Sequence, residues 1–254
     1  MSFESKSFNL PSSETNSLDR SLFADQISRP KKEWREDFRQ YVADKIREKV
    51  KTESRSDKLS PEEERRETYQ RYLKAFDLKE RDLRGKSILD LGCGEEAEFV
   101  KELIEKGVSD KIYGLDRKIN LENADAQLKN HLFEKNYFGE LPVKDLDLIV
   151  TLASIPEPIE PIETGRELTK VAIENALEAL QERGELRIYP IRLASPDNDL
   201  PGIADIRKGW LGLLDELSKT HRIKWELRPI DITISGLKNE DTWLTETLII
   251  RKAA

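Results

Sequence analysis

The run Ile88-Leu89-Asp90-Leu91-Gly92-Cys93-Gly94 decides the fold of this chain, together with Ile112-Tyr113-Gly114-Leu115-Asp116, which follows one helical pattern later. The first run is apolar and ends in a glycine-rich turn that opens a helix. Because glycine has no Cβ, the backbone of such a turn can approach a bound ligand closely. The second run ends in an acid, and an ionised carboxylate accepts charge-assisted hydrogen bonds from ribose hydroxyls. The pattern predicts a pocket for a nucleoside-shaped ligand at the lip of a parallel sheet.

Strands and helices alternate outward from this βαβ unit. The predicted strands cover 87–91, 111–115, a weak strand near 132–137, 146–152, 185–191, an alternating segment at 223–227, and 242–250. The predicted helices cover 100–107, 168–180 with a stop at Gly184, and 203–217. Alternation of this kind predicts an α/β fold, a doubly wound parallel sheet with right-handed crossovers. The close pair of late strands predicts an antiparallel edge hairpin on that sheet.

The N-terminal region has a different character. Residues 1–30 are polar without periodicity and are predicted as a disordered tail, and 31–51 are predicted as an amphipathic helix. The stripe Ser60-Pro61-Glu62-Glu63 has the signature of an N-cap and capping box, which predicts the start of a second helix. We therefore divide the chain into a tail at 1–30, an N-terminal helical extension at 31–84 and the α/β domain at 85–254.

The aromatic stripe of the first predicted helix leaves its role open. Its apolar residues are Trp34, Phe38, Tyr41, Val42, Ile46 and Val50. A stripe of this kind more often packs in a core, or forms the seam of a homo-oligomer, than it contacts a substrate.

Composition limits the classes of function. The 254 residues contain no apolar run of transmembrane length and no secretory signal, so we expect a cytoplasmic protein without a membrane partner. A single cysteine cannot form an internal disulfide, and one cysteine with two histidines argues against a structural zinc site, so no metal is predicted. The net charge of -7 argues weakly against broad nucleic-acid binding, but it leaves a local basic face open.

At Asp90-Leu91-Gly92-Cys93-Gly94, with Asp116 closing the second strand, the chain resembles the class I S-adenosylmethionine-dependent methyltransferases. Their first motif is acid-x-Gly-x-Gly, and their second strand ends in an acid. The segments Gly139-Glu140-Leu141-Pro142 and 184–188 are also similar to the family, as is the late hairpin, so the resemblance extends from about Thr68 onward. It implies a seven-stranded Rossmann-like enzyme that transfers a methyl group from S-adenosylmethionine to a small-molecule, protein or RNA acceptor.

The resemblance also implies roles for individual residues. Gly92 and Gly94 would let backbone amides approach the methionine portion and the ribose, and Asp90 would accept from the cofactor's ammonium, directly or through water. Asp116 would hold the ribose diol. The full predicted cofactor-binding set is Asp90, Gly92, Cys93, Gly94, Asp116, Arg117, Leu141 and Thr151. No catalytic residue is assigned, because His131 and His221 qualify as general bases by residue type alone.

The chain departs from the family pattern in two regions, and it lacks a motif that some relatives carry. Glu96 stands where many members have a third glycine. Tyr137 and Phe138 stand near a frequent Asp-Ala pair, so either Asn136 or Glu140 could take the place of the acid at the adenine edge. The segment 151–156 lacks the Asn-Pro-Pro-Tyr type of motif, which disfavours base or glutamine N-methylation by that route.

Two other functional classes stay open. Gly92-x-Gly94-x-x-Ala97 followed by Asp116 satisfies a loose dinucleotide fingerprint, which would indicate a nicotinamide-dependent oxidoreductase. Asp90 argues against it, because an apolar or small residue is usual two positions before the first glycine. The other class is a non-catalytic scaffold that retains the nucleoside pocket, and Glu96 gives this class some support.

Overall fold

The structure, a computed structural model, describes residues 60–122, 124–155, 163–191, 203–230 and 245–252, and all of them belong to one compact unit spanning 57–254. The predicted tail at 1–30 and the predicted helix at 31–51 lie outside the described residues. Within the described ranges, no helix has both the length and the apolar character that crossing a bilayer requires.

Seven strands form a single sheet. In chain order they are β1 (Ile88–Leu91), β2 (Ile112–Asp116), β3 (Leu132–Glu134), β4 (Leu146–Leu152), β5 (Leu180–Ile191), β6 (Ile223–Ile230) and β7 (Thr245–Lys252). They lie side by side in the order β3-β2-β1-β4-β5-β7-β6. The first five pair in parallel, and β7 runs antiparallel to both β5 and β6. This confirms the predicted doubly wound, mostly parallel seven-stranded sheet with an antiparallel edge hairpin.

Helices cover both faces of this sheet. They are α1 (Pro61–Ala75), α2 (Glu80–Leu83), α3 (Glu98–Glu105), α4 (Glu163–Ala179) and α5 (Ile203–Thr220), with a short 3-10 turn at Lys129–His131. The predicted capping box opens α1: the Ser60 hydroxyl accepts from the Glu63 amide at 3.3 Å, and the Glu63 carboxylate accepts from the Ser60 amide at 2.8 Å. Because these bonds satisfy two backbone donors, they fix where the helix begins.

Most predicted elements differ from the observed ones by a few residues at their ends, and two of these differences have a clear physical cause. The weak strand predicted near 132–137 ends at Glu134, after which the Asn136 side chain accepts from the Phe138 amide at 3.0 Å and turns the chain. Strand β5 begins at Leu180 rather than at 185, so Gly184 lies within the strand instead of ending the preceding helix. A Cβ at Gly184 would lie 2.5 Å from the Leu146 carbonyl oxygen, so glycine allows β5 to pass this close to β4.

The connection between β2 and β3 is unusual for a parallel crossover. Among its described residues the only helical segment is the 3-10 turn, whereas such crossovers usually contain an α-helix. A cleft of about 470 Å³ lies between this connection and α3, with Lys101, Ile104 and Leu128 among its lining residues. The side of α3 that faces this connection is therefore accessible through the cleft.

Apolar side chains form one core cluster on each face of the sheet. Leu89 and Leu91 of β1 belong to the cluster that also contains residues of α4 and α5, whereas Ile88 belongs to the cluster built with α1 and α3. Side chains alternate along a strand, so Asp90 points to the same face as Ile88. A carboxyl group therefore lies within the apolar layer formed by α1 and α3.

The C-terminal end of α1 is fastened to the sheet by side chains from distant strands. The Arg187 guanidinium of β5 donates to the Phe76 carbonyl and, at 3.3 Å, to the Asp77 carbonyl, and the Thr247 hydroxyl of β7 donates to the Ala75 carbonyl. These carbonyls lack partners within the helix, so the contacts satisfy groups that burial would otherwise leave unpaired. Helix α1 thus shares the core of the α/β domain, and the domain division at residue 85 stays a prediction.

Candidate nucleoside-cofactor site

The candidate site lies between β1 and β4, where the order in which successive strands are added to the sheet changes direction. From β1 the chain proceeds to β2 and β3 on one side, and from β4 it proceeds to β5 on the other. Ligands of open α/β sheets bind in the crevice outside the carboxyl ends of the strands at such a switch point. Here the crevice is bordered by the glycine loop after β1 and by Ala153 and Ser154 after β4.

The glycine loop needs its glycines for two different reasons. Gly92 and Gly94 have φ angles of +83° and +76°, which L side chains rarely adopt. A Cβ at Gly92 would also lie 2.3 Å from the Cβ and the Oγ of Ser154, whereas a Cβ at Gly94 would meet nothing within 4 Å. The Ser154 hydroxyl lies 3.0 Å from the carbonyl oxygens of Gly92 and Leu152, to either of which it can donate. The loop and the end of β4 are therefore in close contact.

Asp116 connects the second strand to this loop. One of its carboxylate oxygens accepts from the Gly94 amide at 3.1 Å, and the other accepts from the Lys118 amide at 2.8 Å. Each carboxylate oxygen has two lone-pair directions, so the half-buried group retains capacity for further donors. The acid that the sequence assigned to the ribose thus lies directly beside the glycine turn.

Asp90 is the most unusual group at the site. It is 1% exposed, and neither of its carboxylate oxygens has a hydrogen-bond partner among the described residues. Desolvation by burial raises the pKa of this carboxyl to about 8; the neighbouring Tyr72 hydroxyl lowers the pKa, and the negative charge of Asp116 raises it. Tyr72 is close enough to influence Asp90 but does not reach the geometry of an ordered hydrogen bond. Buried carboxyls without partners are costly and are found chiefly at functional sites.

The other predicted cofactor-binding residues occupy diverse positions. Cys93 is buried, and burial raises the pKa of its thiol, so it packs as a small apolar residue beside Gly114. Thr151 is fully buried, and its hydroxyl has no partner among the described residues. Strand alternation places it on the face opposite to Asp90, together with Ile149.

Leu141 and Arg117 differ most in exposure. Leu141 is 3% exposed and belongs to the core cluster of α4 and α5, whereas Arg117 is exposed just beyond β2. The structure therefore brings Asp90, the glycine loop and Asp116 together. Contact with a cofactor stays a prediction for every one of the predicted residues.

Sequence reasoning missed the role of Tyr137. Its hydroxyl donates to the Ser154 carbonyl, and the Asn175 amide of α4 donates to the Tyr137 carbonyl at 3.1 Å. Burial, followed by the negative charge of Asp116, raises the pKa of the Tyr137 hydroxyl. The signal in the sequence was the aromatic pair at 137–138 in place of the Asp-Ala pair.

The two alternatives for the adenine-edge acid have local partners. The Asn136 side chain accepts from the Phe138 amide, and the exposed Glu140 carboxylate lies 3.4 Å from the Lys144 ammonium. Neither contact selects between the two residues.

Neither histidine lies at the crevice. His131 Nδ1 lies 2.7 Å from the carbonyl oxygen of Ile112, which is at the amino end of β2 and thus at the opposite edge of the sheet. His221 is exposed after α5, with Nε2 3.8 Å from the Glu174 carboxylate. No group of three or more potential metal-binding side chains occurs within the described ranges.

No family model matches this chain, and no curated protein has a similar sequence. Solved structures resemble it in fold at low identity. The pyocyanin biosynthetic protein PhzM is 18% identical over 68% of this chain and 52% of its own, with a TM-score of 0.44. The mitomycin 7-O-methyltransferase MmcR is 11% identical over 69% of this chain and 50% of its own, with a TM-score of 0.45. The chain therefore spans about half the length of these two proteins.

A third solved structure matches over most of its own length. It is the N-methyltransferase NodS from Bradyrhizobium japonicum WM9 in complex with S-adenosyl-L-homocysteine, which is 14% identical over 74% of this chain and 87% of its own, with a TM-score of 0.46. The fold of this chain is the mostly parallel seven-stranded fold with a reversed edge strand that the sequence resemblance predicted.

Proposed function

We propose that this protein is an S-adenosylmethionine-dependent methyltransferase. The observation that carries the proposal is the convergence of two acids on one glycine loop: Asp90 is buried without a partner, and Asp116 accepts from the Gly94 amide. The first acid suits a ligand ammonium, because a buried carboxylate is stabilised by an opposite charge. The second suits a pair of ribose hydroxyls, because its carboxylate still has free lone pairs.

Cys93, Gly92 and Gly94 complete the loop on which the cofactor's methionine and ribose portions would lie. Arg117, Leu141 and Thr151 remain the proposed surroundings of the adenosyl group. A bound S-adenosylmethionine supplies a methyl group on a positively charged sulfur. The residues of the chain would hold the donor and the acceptor in line and exclude water, and such alignment provides effective molarities of about 10⁵ to 10⁸ M.

The acceptor is a small molecule, a protein or an RNA in this proposal, and no fixed catalytic base is required.

The sheet order favours a methyl donor over a nicotinamide, because dinucleotide-binding folds typically have the order 3-2-1-4-5-6 without a reversed strand. A non-catalytic scaffold stays the second alternative, because Glu96 stands where many of these methyltransferases have a third glycine. We expect stabilisation by S-adenosylhomocysteine and not by NAD in a thermal-shift titration, and the reverse result would support the oxidoreductase. Binding without transfer of a labelled methyl group to any cell-extract fraction would support the scaffold.

We predict that Asp116→Ala weakens S-adenosylhomocysteine binding by at least tenfold without unfolding the protein, since each lost charge-assisted hydrogen bond is worth about 1.5 to 3 kcal/mol. Isothermal calorimetry measures the affinity, and circular dichroism verifies the fold. Asp125→Ala is the matched control, because the Asp125 carboxylate also accepts from the amide two residues later, at 3.0 Å. Equal affinity of wild type and Asp116→Ala would remove the ribose assignment.

A further inference from the structure

The environment of Asp90 includes a residue from outside the glycine motif. Tyr72 belongs to α1, 18 positions before Asp90, and it is 5% exposed. Its ring stacks on Phe99 with a centroid distance of 4.3 Å and an interplanar angle of 14°. Contacts from Arg187 and Thr247 fix the following turn of α1 to the sheet. Tyr72 and Phe99 belong to the core cluster on the face of β1 that Ile88 and Asp90 share, so the Tyr72 ring has a defined position in the layer that contains the carboxyl group.

Tyr69 provides an internal comparison. It lies one helical turn earlier in α1 and stacks on the same Phe99 ring, with a centroid distance of 5.9 Å and an interplanar angle of 27°. Its hydroxyl, however, donates to the Glu80 carboxylate at 3.1 Å, away from the glycine loop. The two tyrosines thus share a packing role but differ in what their hydroxyl groups contact.

The titratable groups around Asp90 come from three parts of the chain. Tyr72 faces it from α1, Cys93 from the loop after β1, and Asp116 from the end of β2. None of these groups is a cation, and the raised pKa of Cys93 keeps its thiol neutral. A ligand ammonium would therefore bring a positive charge to a carboxyl group that tends to hold its proton.

We infer that Tyr72 is a positioning residue for cofactor binding, whose hydroxyl donates to Asp90 when that carboxyl ionises to receive the cofactor's ammonium. The inference rests on the proposed function and adds α1 to the cofactor site. The proton that Asp90 loses goes to solvent, so binding is coupled to proton release. The hydroxyl favours the ionised form of Asp90 because a donated hydrogen bond stabilises the carboxylate more than the acid.

The test compares Tyr72→Phe with the matched control Tyr69→Phe, by calorimetry of S-adenosylhomocysteine binding between pH 6 and pH 9. Wild type should lose affinity by up to tenfold per pH unit below the pKa of Asp90. In Tyr72→Phe the midpoint of this loss should move up by about one pH unit, because the donor to the carboxylate is gone. Tyr69→Phe should retain the wild-type midpoint. Titration of the ligand itself is common to all three proteins and cancels in the comparison.

One further measurement does not depend on how well Tyr72→Phe folds. Calorimetry of wild type at pH 7 in buffers of different ionisation enthalpy should detect a proton released on binding. In an Asp90→Asn background, Tyr72→Phe should no longer move the pH profile. The inference would be overturned if wild type and Tyr72→Phe had the same dependence of affinity on pH, or if wild type released no proton on binding. It would also be overturned if Tyr72→Phe shifted the midpoint equally in the Asp90→Asn background. Absence of binding by wild type at every pH would instead refute the proposed function.

Discussion

Asp90→Asn is expected to become progressively more stable than wild type as the pH rises from about 4 to 8. Burial raises the pKa of Asp90 from 3.8 to about 8, so the folded protein holds this proton more tightly than the unfolded chain. The resulting stabilisation is complete below the unfolded pKa and is lost as the pH rises to the folded pKa. The loss reaches about 1.4 kcal/mol per pH unit. Asparagine does not ionise, so the variant lacks this loss.

Urea unfolding at pH 5, 6, 7 and 8 measures the difference between the two proteins. A difference in unfolding free energy that stays constant with pH would contradict the prediction, whatever its absolute size. Glu102→Gln is the control, since Glu102 is also buried, at 6% exposure, but lies 3.2 Å from the Arg65 guanidinium and 3.5 Å from the Lys106 ammonium. Removing a paired charge leaves its cations without a partner, so this variant should be less stable than wild type at pH 7.

Asp90→Asn should also weaken S-adenosylhomocysteine binding, because a neutral amide does not balance the positive charge of the ligand's ammonium as a carboxylate does. Asp90→Asn would then gain stability at neutral pH and lose affinity together. Such opposition is typical of sites that retain a strained or desolvated group for function.

Gly92→Ala is expected to lower stability far more than Gly94→Ala. Both glycines have positive φ, so each alanine incurs backbone strain of about 1 to 2 kcal/mol. Only the Cβ at position 92 would collide with Ser154, at 2.3 Å, and relieving that overlap adds about 1 to 3 kcal/mol. Gly92→Ala should also displace the end of β4 and so reduce binding of S-adenosylhomocysteine.

Ser154→Gly separates the two contributions. In the Gly92→Ala background, Ser154→Gly should restore the part of the unfolding free energy that is lost to the collision, and the loss due to backbone strain should remain. In the Gly94→Ala background, Ser154→Gly should restore no unfolding free energy. Chemical denaturation of the full double-mutant cycle provides the coupling free energy. Equal destabilisation by the two alanine variants would show that Ser154 can move away from the Cβ at position 92 without a loss of unfolding free energy.

The strands were the most predictable part of the fold because their signal is local. The apolar run at 146–152 matches β4 in both bounds, and the acid at the end of the second run does close β2. The start of β5 was less accessible, since Leu180 pairs with Leu146 through an irregular register that no local pattern encodes. The reversed edge strand was predicted from the close pair of late strands, and the sheet contains it.

The predictable part of the site is the glycine loop and its two acids, which lie on adjacent strands of one recognisable unit. Contacts between distant segments were not predictable in the same way. The proximity of Tyr72 to Asp90 and the bond from Tyr137 to the Ser154 carbonyl depend on how separate elements pack, and periodicity reveals only which face of a helix is apolar. The unpaired state of the Asp90 carboxyl likewise follows from tertiary burial.

The fastening of α1 by Arg187 and Thr247 has a consequence for biogenesis. Thr247 lies in β7, which follows every other described element in the chain and inserts between β5 and β6. During synthesis on the ribosome, the hydrogen bond from Thr247 to the end of α1 can form only after this late strand has emerged. Nascent chains arrested before residue 245 should therefore leave the pocket around Asp90 unfinished, even when β1 to β5 have already emerged.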